Sequence, residues 1–351
     1  MTDYLSCKIK FLEDMSKAWI GQPHLMKKLI SKFGEKVEKM PTYRTPGSLH
    51  VGIKRLSEND PKMAKEEQKE YRSGVGMLLY FVKHPRPDIA NAVRELSKVM
   101  DNPTPGAMKE LRRVIKYLID TKDYGLKLHP KQMDQNGLLQ IVLYSDSDWA
   151  GDTESRISVT GYVIFLQGCI VSWKSKAQSC VTLSSSEAEL MALSEATKEI
   201  RFIYELLKAM GIKVQLPIIC RVDNVGAIFM AENVTATPKS KHMDTRAKFV
   251  TQFIADGFLK IIFVKTSDNT SDPFTKNVSG VTHKKHKVEY IWKGSEVACL
   301  CHSAHQEGCC EVLIEDTKTT QNRETTSGTK KGKVLQRERG SPGQEVWKKW
   351  N

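Results

Sequence analysis

No run of apolar residues in the 351-residue sequence approaches the roughly 20 that a membrane span requires. The opening MTDYLSCKIKF lacks the charged-then-apolar layout of a secretion signal, so an intracellular protein is expected. Cysteine is sparse, at 8 residues, and Cys7, Cys169, Cys180 and Cys220 each stand alone among apolar neighbours. That spacing argues against a disulfide framework and predicts reduced thiols in a core. Acidic charge is also in short supply, since 41 Asp and Glu face 54 Lys and Arg for a formal charge of +13. A surplus of this sign favours a polyanionic partner such as nucleic acid, although charge alone fits an ordinary basic protein equally well.

The length and a 40% hydrophobic content suffice for two domains of ordinary size. Residues 1–130 alternate a strand-like run, Tyr4 to Phe11, with helical patterns at Gln68 to His84, Asp88 to Met100 and Pro105 to Thr121. In the last of these, Met108, Leu111, Val114, Ile115, Leu118 and Ile119 recur at three- and four-residue spacing, which predicts one apolar face and a basic outer side. Pro41 to Met63, rich in Pro, Gly and charge, reads as a long loop.

Residues 131–280 have a different texture. Leu138 to Tyr144, Val159 to Leu166 and Ile170 to Trp173 are short β-rich runs separated by turn signals, which suggests an antiparallel meander. A long helical pattern, Ser184 to Met210, follows. Then come a strand at Ile218 to Val222, helices near Asn224 to Ala231 and Met243 to Ala255, and a strand at Phe258 to Val264. This order predicts an α/β domain with a mixed sheet and helices on its faces. Residues 281–351 lose the periodicity, and Lys, Glu, Thr, Gly and Gln dominate from Asp316 onward, so a disordered tail is expected.

Acidic residues sit where such a sheet would gather them. Asp146 ends the first strand of the domain in LYSDSDWAGD, and Glu189 lies early in the long helix in SSSEAELMAL. Asp223 ends the strand ICRVD, and Asp272 opens a last short helix in NTSDPFTK. Carboxylates crowded within a few ångströms repel one another and take up protons unless cations neutralise them. Mg²⁺ suits such a site because it prefers oxygen ligands and retains several waters; Mn²⁺ is the natural substitute. Two ions roughly 3.5–4 Å apart can serve both sides of a phosphodiester.

These segments, with RISVTGYVIFLQGCIVSWKSKAQSCVTLSSSEAELMAL and KSKHMD, resemble the ribonuclease H domain of copia-type retrotransposon polyproteins, continuously from about Leu138 to Lys276. The resemblance implies a ribonuclease H-like mixed five-stranded sheet with flanking helices. It also implies hydrolysis of the RNA strand of RNA–DNA hybrids, leaving a 3′ hydroxyl and a 5′ phosphate. By it, Asp146, Glu189, Asp223 and Asp272 form the Asp-Glu-Asp-Asp set for two Mg²⁺ ions, with Asp148 and Glu187 as near neighbours competing for two of those places. His242 matches a family motif and has two readings: it helps a water or product leave the metal site, or it is a helix-start histidine bonded to Asp244. Trp173, Lys174, Lys176, Asn224, Lys239 and Lys241 are candidates for contact with the nucleic acid, Trp173 also reading as a core residue.

YLSCKIKF, AWIGQPHLMKKLISKFG, YRSGVGMLLYFVKHPRPDIANAVRELSKVM and RRVIKYLIDTKDYGLKL resemble the thumb and connection that follow the polymerase palm in the same polyproteins. A mostly helical segment is implied for residues 1–130, which either grips duplex or packs against the nuclease domain. The Tyr-x-Asp-Asp strand of a polymerase site occurs nowhere in the sequence, so no polymerase activity is expected of this chain alone. Implied partners are the hybrid and the remaining polymerase segments, in a cytoplasmic retroelement particle or the nucleus. Two other readings remain: a catalytically silent remnant that binds hybrids, and a transposase or integrase nuclease, whose acidic set is sparser. In the tail, Cys299, Cys301, His302, His305, Cys309 and Cys310 have neither C-x2-C nor zinc-knuckle spacing, which argues against a metal site.

Overall fold

The computed structural model describes residues 2–295 apart from 5, 12–15, 50, 51, 58, 59, 61, 134 and 234–240. The N-terminal lobe comprises β1 (Thr2–Tyr4), β2 (Cys7–Phe11), β3 (Ala18–Gly21), α1 (Pro23–Val37), α2 (Lys65–Lys83), α3 (Ala90–Ser97), α4 (Pro105–Asp120) and β4 (Tyr124–Leu128). α4 shows why the helices form where they do. Thr104 caps its first turn by accepting from the Ala107 N–H, and Pro105 follows with its φ already set for a helix. Leu111, Val114, Ile115 and Leu118 are buried along one face, where they meet Phe33, Tyr71 and Leu78. Gly74 lets α2 approach closely, since a Cβ there would stand 2.9 Å from Leu111 Cδ2.

The second lobe contains β5 (Ile141–Asp148), β6 (Val159–Leu166), β7 (Cys169–Ala177), α5 (Ser185–Ala209), β8 (Ile218–Val222), α6 (Val225–Glu232), α7 (Lys241–Ala255) and β9 (Leu259–Phe263). Its strands lie in the order β7-β6-β5-β8-β9. β5, β6 and β7 are antiparallel neighbours, whereas β8 runs parallel to both β5 and β9. This is the expected ribonuclease H-like mixed sheet with flanking helices. The meander turns at Gln167 and Gly168, whose φ values of 52° and 81° make the glycine the cheaper occupant.

Alternation along β6 decides how the lobes meet. Tyr162 and Ile164 face α5 and pack with Leu190, Leu193, Ala196 and Ile200. Val163 and Phe165 point the other way, into a cluster with Ile170, Ala90, Leu126, Phe274, Tyr290 and Ile291. The N-terminal lobe therefore covers the second face of the sheet, and the two lobes pack into one compact unit. Trp173 helps to join them by donating its indole N–H to the Val82 carbonyl at 2.8 Å.

Two features depart from the sequence expectation. The N-terminal segment carries a five-stranded sheet of its own beside its helices, β1, β2, β3 and β4 lying in that order with a fifth strand beside β4. Its last strand comes from beyond the second lobe: α8 (Gly280–Lys287) is followed by β10 (Ile291–Lys293), in which Ile291 pairs with Leu126. The boundary drawn at residue 281 for a disordered tail is thus corrected, because Tyr290 and Ile291 are buried core residues. Residues 296–351, with the Cys and His group at 299–310, lie outside the described residues. Among the described residues there is no disulfide, Cys7 and Cys220 being buried free thiols, and no helix is long and apolar enough to cross a membrane.

A buried ion pair sits at the start of α3. Arg86 Nε and Nη2 each donate at 2.8 Å to the two carboxylate oxygens of Asp88, which also accept from the Tyr117 hydroxyl at 2.9 Å. Burial alone would raise the Asp88 pKa; the Arg86 guanidinium outweighs it and holds the carboxyl below its usual range. Asp88→Ala would strand a guanidinium that is 1% exposed. It is expected to cost about 3–5 kcal/mol in chemical denaturation, whereas an exposed pair such as Lys248–Asp244 should cost under about 1 kcal/mol.

Candidate metal centre

Asp146, near the end of β5, Glu189, in the second turn of α5, and Asp223, just after β8, each offer an oxygen within 4.8 Å of the others. The sheet causes this convergence. β5 and β8 are parallel neighbours that end on the same edge, and α5 begins there because Ser184 caps it by accepting from the Glu187 N–H. Asp146 and Glu189 are 3% and 5% exposed, so neither charge is relieved by bulk water.

Each carboxylate is held individually. Glu189 Oε1 accepts from the backbone N–H and hydroxyl of Ser147, both at 2.9 Å. Its Oε2 is buried and has no hydrogen-bond partner among the described residues. Asp146 Oδ2 accepts from the Thr275 hydroxyl at 2.5 Å. The Thr275 segment can lie that close because position 161 on β6 is a glycine; a Cβ there would stand 2.5 Å from Thr275 Cγ2.

Asp272 was expected as the fourth member and is placed differently. It opens a single turn, Asp272–Phe274, and Lys276 Nζ lies 2.6 Å from its Oδ1. It is buried near Asp146, whose ionisation it opposes, but it is not among the three converging carboxylates. Lys276 and Thr275 escaped sequence reasoning. They follow Asp272 directly in DPFTKN, and a cation and a hydroxyl beside an acid were the available signal.

The competing acids fall away on geometry. Glu187 is turned back to accept from the Leu183 N–H at 2.7 Å and so caps the helix. Asp148 is not one of the three either, and burial raises its carboxyl above the usual range. Of the residues proposed to touch nucleic acid, Lys174 lies over the Tyr162 ring at 5.8 Å, and Lys176 is exposed. Asn224 caps α6, its Oδ1 accepting from the Ala227 N–H and the Ser186 hydroxyl. Trp173 is half-buried at the joint between the lobes, its indole N–H already engaged there. The side chains of Lys241 and His242, and the whole of Lys239, lie outside the described residues.

The electrostatics of the three-acid group suit a bound cation. Burial, opposed by Lys276 and the Thr275 hydrogen bond and joined by the charges of Asp272 and Asp223, lifts the Asp146 pKa to about 7. Burial, then Asp146 and Asp223, drive Glu189 well above its usual range despite the bonds from Ser147. Oxygen-only donors, two of them short of charge compensation, and an unpartnered Glu189 Oε2 together fit a hard divalent cation.

No family model matches the sequence. The chain is 36% identical over 212 residues to the "Retrovirus-related Pol polyprotein from transposon RE2" of Arabidopsis thaliana, covering 60% of this chain and 14% of that protein. It is 30% identical over 274 residues to the "Retrovirus-related Pol polyprotein from transposon TNT 1-94" of Nicotiana tabacum, covering 78% of this chain and 20% of the relative. The chain is thus similar to a segment of retrotransposon Pol polyproteins and spans only a small part of these two relatives. This agrees with the copia-type resemblance. Among solved structures, LC11-RNase H1, isolated from compost by a metagenomic approach, aligns with 16% identity and a TM-score of 0.31 over 39% of this chain and 92% of its own.

The arrangement has two expected outcomes. An acid whose pKa is higher folded than unfolded stabilises the metal-free fold below the unfolded value, near 4, and that stability is lost as pH rises through the folded value. For Asp146 the window runs from about 4 to about 7. Mg²⁺ should therefore raise the melting temperature more at pH 8 than at pH 6, where protons compete for the same oxygens; an equal shift at both would count against the site. Glu187→Ala should remove a cap worth about 1 kcal/mol and leave the Mg²⁺-induced shift intact.

Proposed function

We propose that this chain is the metal-dependent ribonuclease H portion of a retroelement Pol polyprotein, hydrolysing the RNA strand of RNA–DNA hybrids. The observation that carries the reading is the convergence of Asp146, Glu189 and Asp223 within 4.8 Å, with two of the three buried. Asp146 and Glu189 would hold one Mg²⁺, and Asp146, Asp223 and Asp272 a second, with Mn²⁺ as substitute. Bound there, the ions supply an activated water and neutralise charge on the phosphodiester.

The chain's own residues do the rest. Ser147 fixes the Glu189 carboxylate through Oε1 and leaves Oε2 for a ligand. Thr275 orients Asp146, and Lys276 offsets the charge of Asp272. Lys174, Lys176, Lys241 and Asn224 are assigned to the backbone of the hybrid, where contacts set register and carry no sequence information. Trp173 is assigned to the joint and at most borders the hybrid. His242 keeps its two readings, product release or bonding to Asp244. Residues 1–130 cover the nuclease sheet in this reading, and no polymerase step is assigned to the chain. The remaining polymerase segments are partners, and the working place is the cytoplasmic retroelement particle or the nucleus.

The test uses the whole chain and a hybrid labelled on its RNA strand. Cleavage is expected with Mg²⁺ and none with EDTA. Asp223→Asn should abolish it without unfolding the protein, because Asp223 is partly exposed and replacement leaves no buried charge behind. Cutting that persists in the variant would sink the assignment; salt-sensitive binding without product would select the silent remnant instead.

A further inference from the structure

Asn277 follows Lys276 directly, and the N-terminal lobe grips both edges of its side chain. Its Oδ1 accepts from Asn91 Nδ2 at 3.0 Å, and its Nδ2 donates to the Ser48 carbonyl at 3.0 Å. The Arg94 guanidinium donates to Asn91 Oδ1 at 2.8 Å, which fixes the orientation of both amides. Ser48 is tied to α4, its hydroxyl donating to Glu110 at 2.8 Å. Gly47 closes the grip: a Cβ there would stand 2.4 Å from Asn277 Oδ1.

The other side of the same segment reaches the carboxylates. Thr275 donates to Asp146, and Lys276 pairs with Asp272. Upstream, Phe274 is buried at 1% exposure and lies against Gly161, so the segment hangs between that anchor and Asn277. Lys276 is held by its pairing with Asp272 and by its backbone N–H, which donates to the Asp272 carbonyl at 3.4 Å, so the two anchors act on it through the short 272–275 turn.

We propose that Asn277, held by Asn91, Ser48 and Gly47, is a positioning residue through which the N-terminal lobe sets Thr275 and Lys276 at the carboxylate centre; the inference rests on the ribonuclease reading. Residues 1–130 then contribute to the chemistry without touching substrate. Misplacement of about 1 Å in a group that orients an active site can cost up to about a hundredfold in rate.

Gly47→Ala pushes on the Asn277 amide from outside the nuclease lobe, Asn277→Ala deletes the amide, and Asn91→Asp keeps the shape and the Arg94 contact while removing the donor. In the full chain, each is expected to lower hybrid cleavage by roughly 10- to 100-fold and to raise the Mg²⁺ concentration for half-maximal rate. The double variant Gly47→Ala with Asn277→Ala should be no worse than Asn277→Ala alone, because the added methyl then meets no amide. Penalties that multiply, or a half-maximal Mg²⁺ concentration left unchanged in all three single variants, would overturn the proposal. Should Asn277→Ala melt too early to assay, Asn91→Asp and Gly47→Ala decide. Wild-type protein that fails to cut would remove the ribonuclease reading by itself. The Mg²⁺-induced melting shift and amide exchange at residues 271–277 would then still decide whether the grip orders the centre.

Discussion

Both faces of the mixed sheet must be buried, because β6 presents apolar side chains on each: Tyr162 and Ile164 toward α5, Val163 and Phe165 away from it. Each such side chain is worth about 1.5–3 kcal/mol when removed from water, so an uncovered second face would forfeit a large part of a typical domain's net stability. The N-terminal lobe supplies the cover, with Ala90, Leu126, Tyr290 and Ile291 in contact with that face. The helical segment, the second sheet and the strand after the second lobe all contribute residues to that cover. The chain crosses back after Gly280 to add β10 beside β4.

The same closure creates the difficulty of the carboxylate centre. Carboxylates at the end of an apolar sheet lose hydration, and their mutual repulsion raises the cost of ionising them. Protein groups compensate only part of this charge. Ser147 satisfies one oxygen of Glu189, Thr275 one oxygen of Asp146, and Lys276 the neighbouring Asp272. The remaining deficit is the physical basis for the proposed cation affinity, and it belongs to the fold rather than to any single residue.

Much of the second lobe was legible in the sequence because its signals are local. The strand Ile218–Val222 and the helix Ser185–Ala209 have apolar periods and end signals that leave little choice. The core of the cluster was legible for a related reason: an acid that directly ends an apolar strand or enters a capped helix is out of place on solvation grounds. Glu187 and Glu189 could not be separated that way, since both are buried in the opening turns of α5. Only the direction of each side chain, one toward the Leu183 N–H and one toward Ser147, distinguishes a cap from a candidate ligand.

The sequence by itself determined the residue types, the element order and the sign of the charge, all of which depend on neighbours within a few positions. Only the tertiary structure decided that β10 completes a sheet begun more than 150 residues earlier, that Trp173 is spent on the joint, and that Asp272 answers to Lys276. Those outcomes depend on contacts between residues far apart in the chain. Local propensity carries no information about such contacts: three residues such as Ile291–Lys293 form a strand only when an edge like β4 is waiting for them.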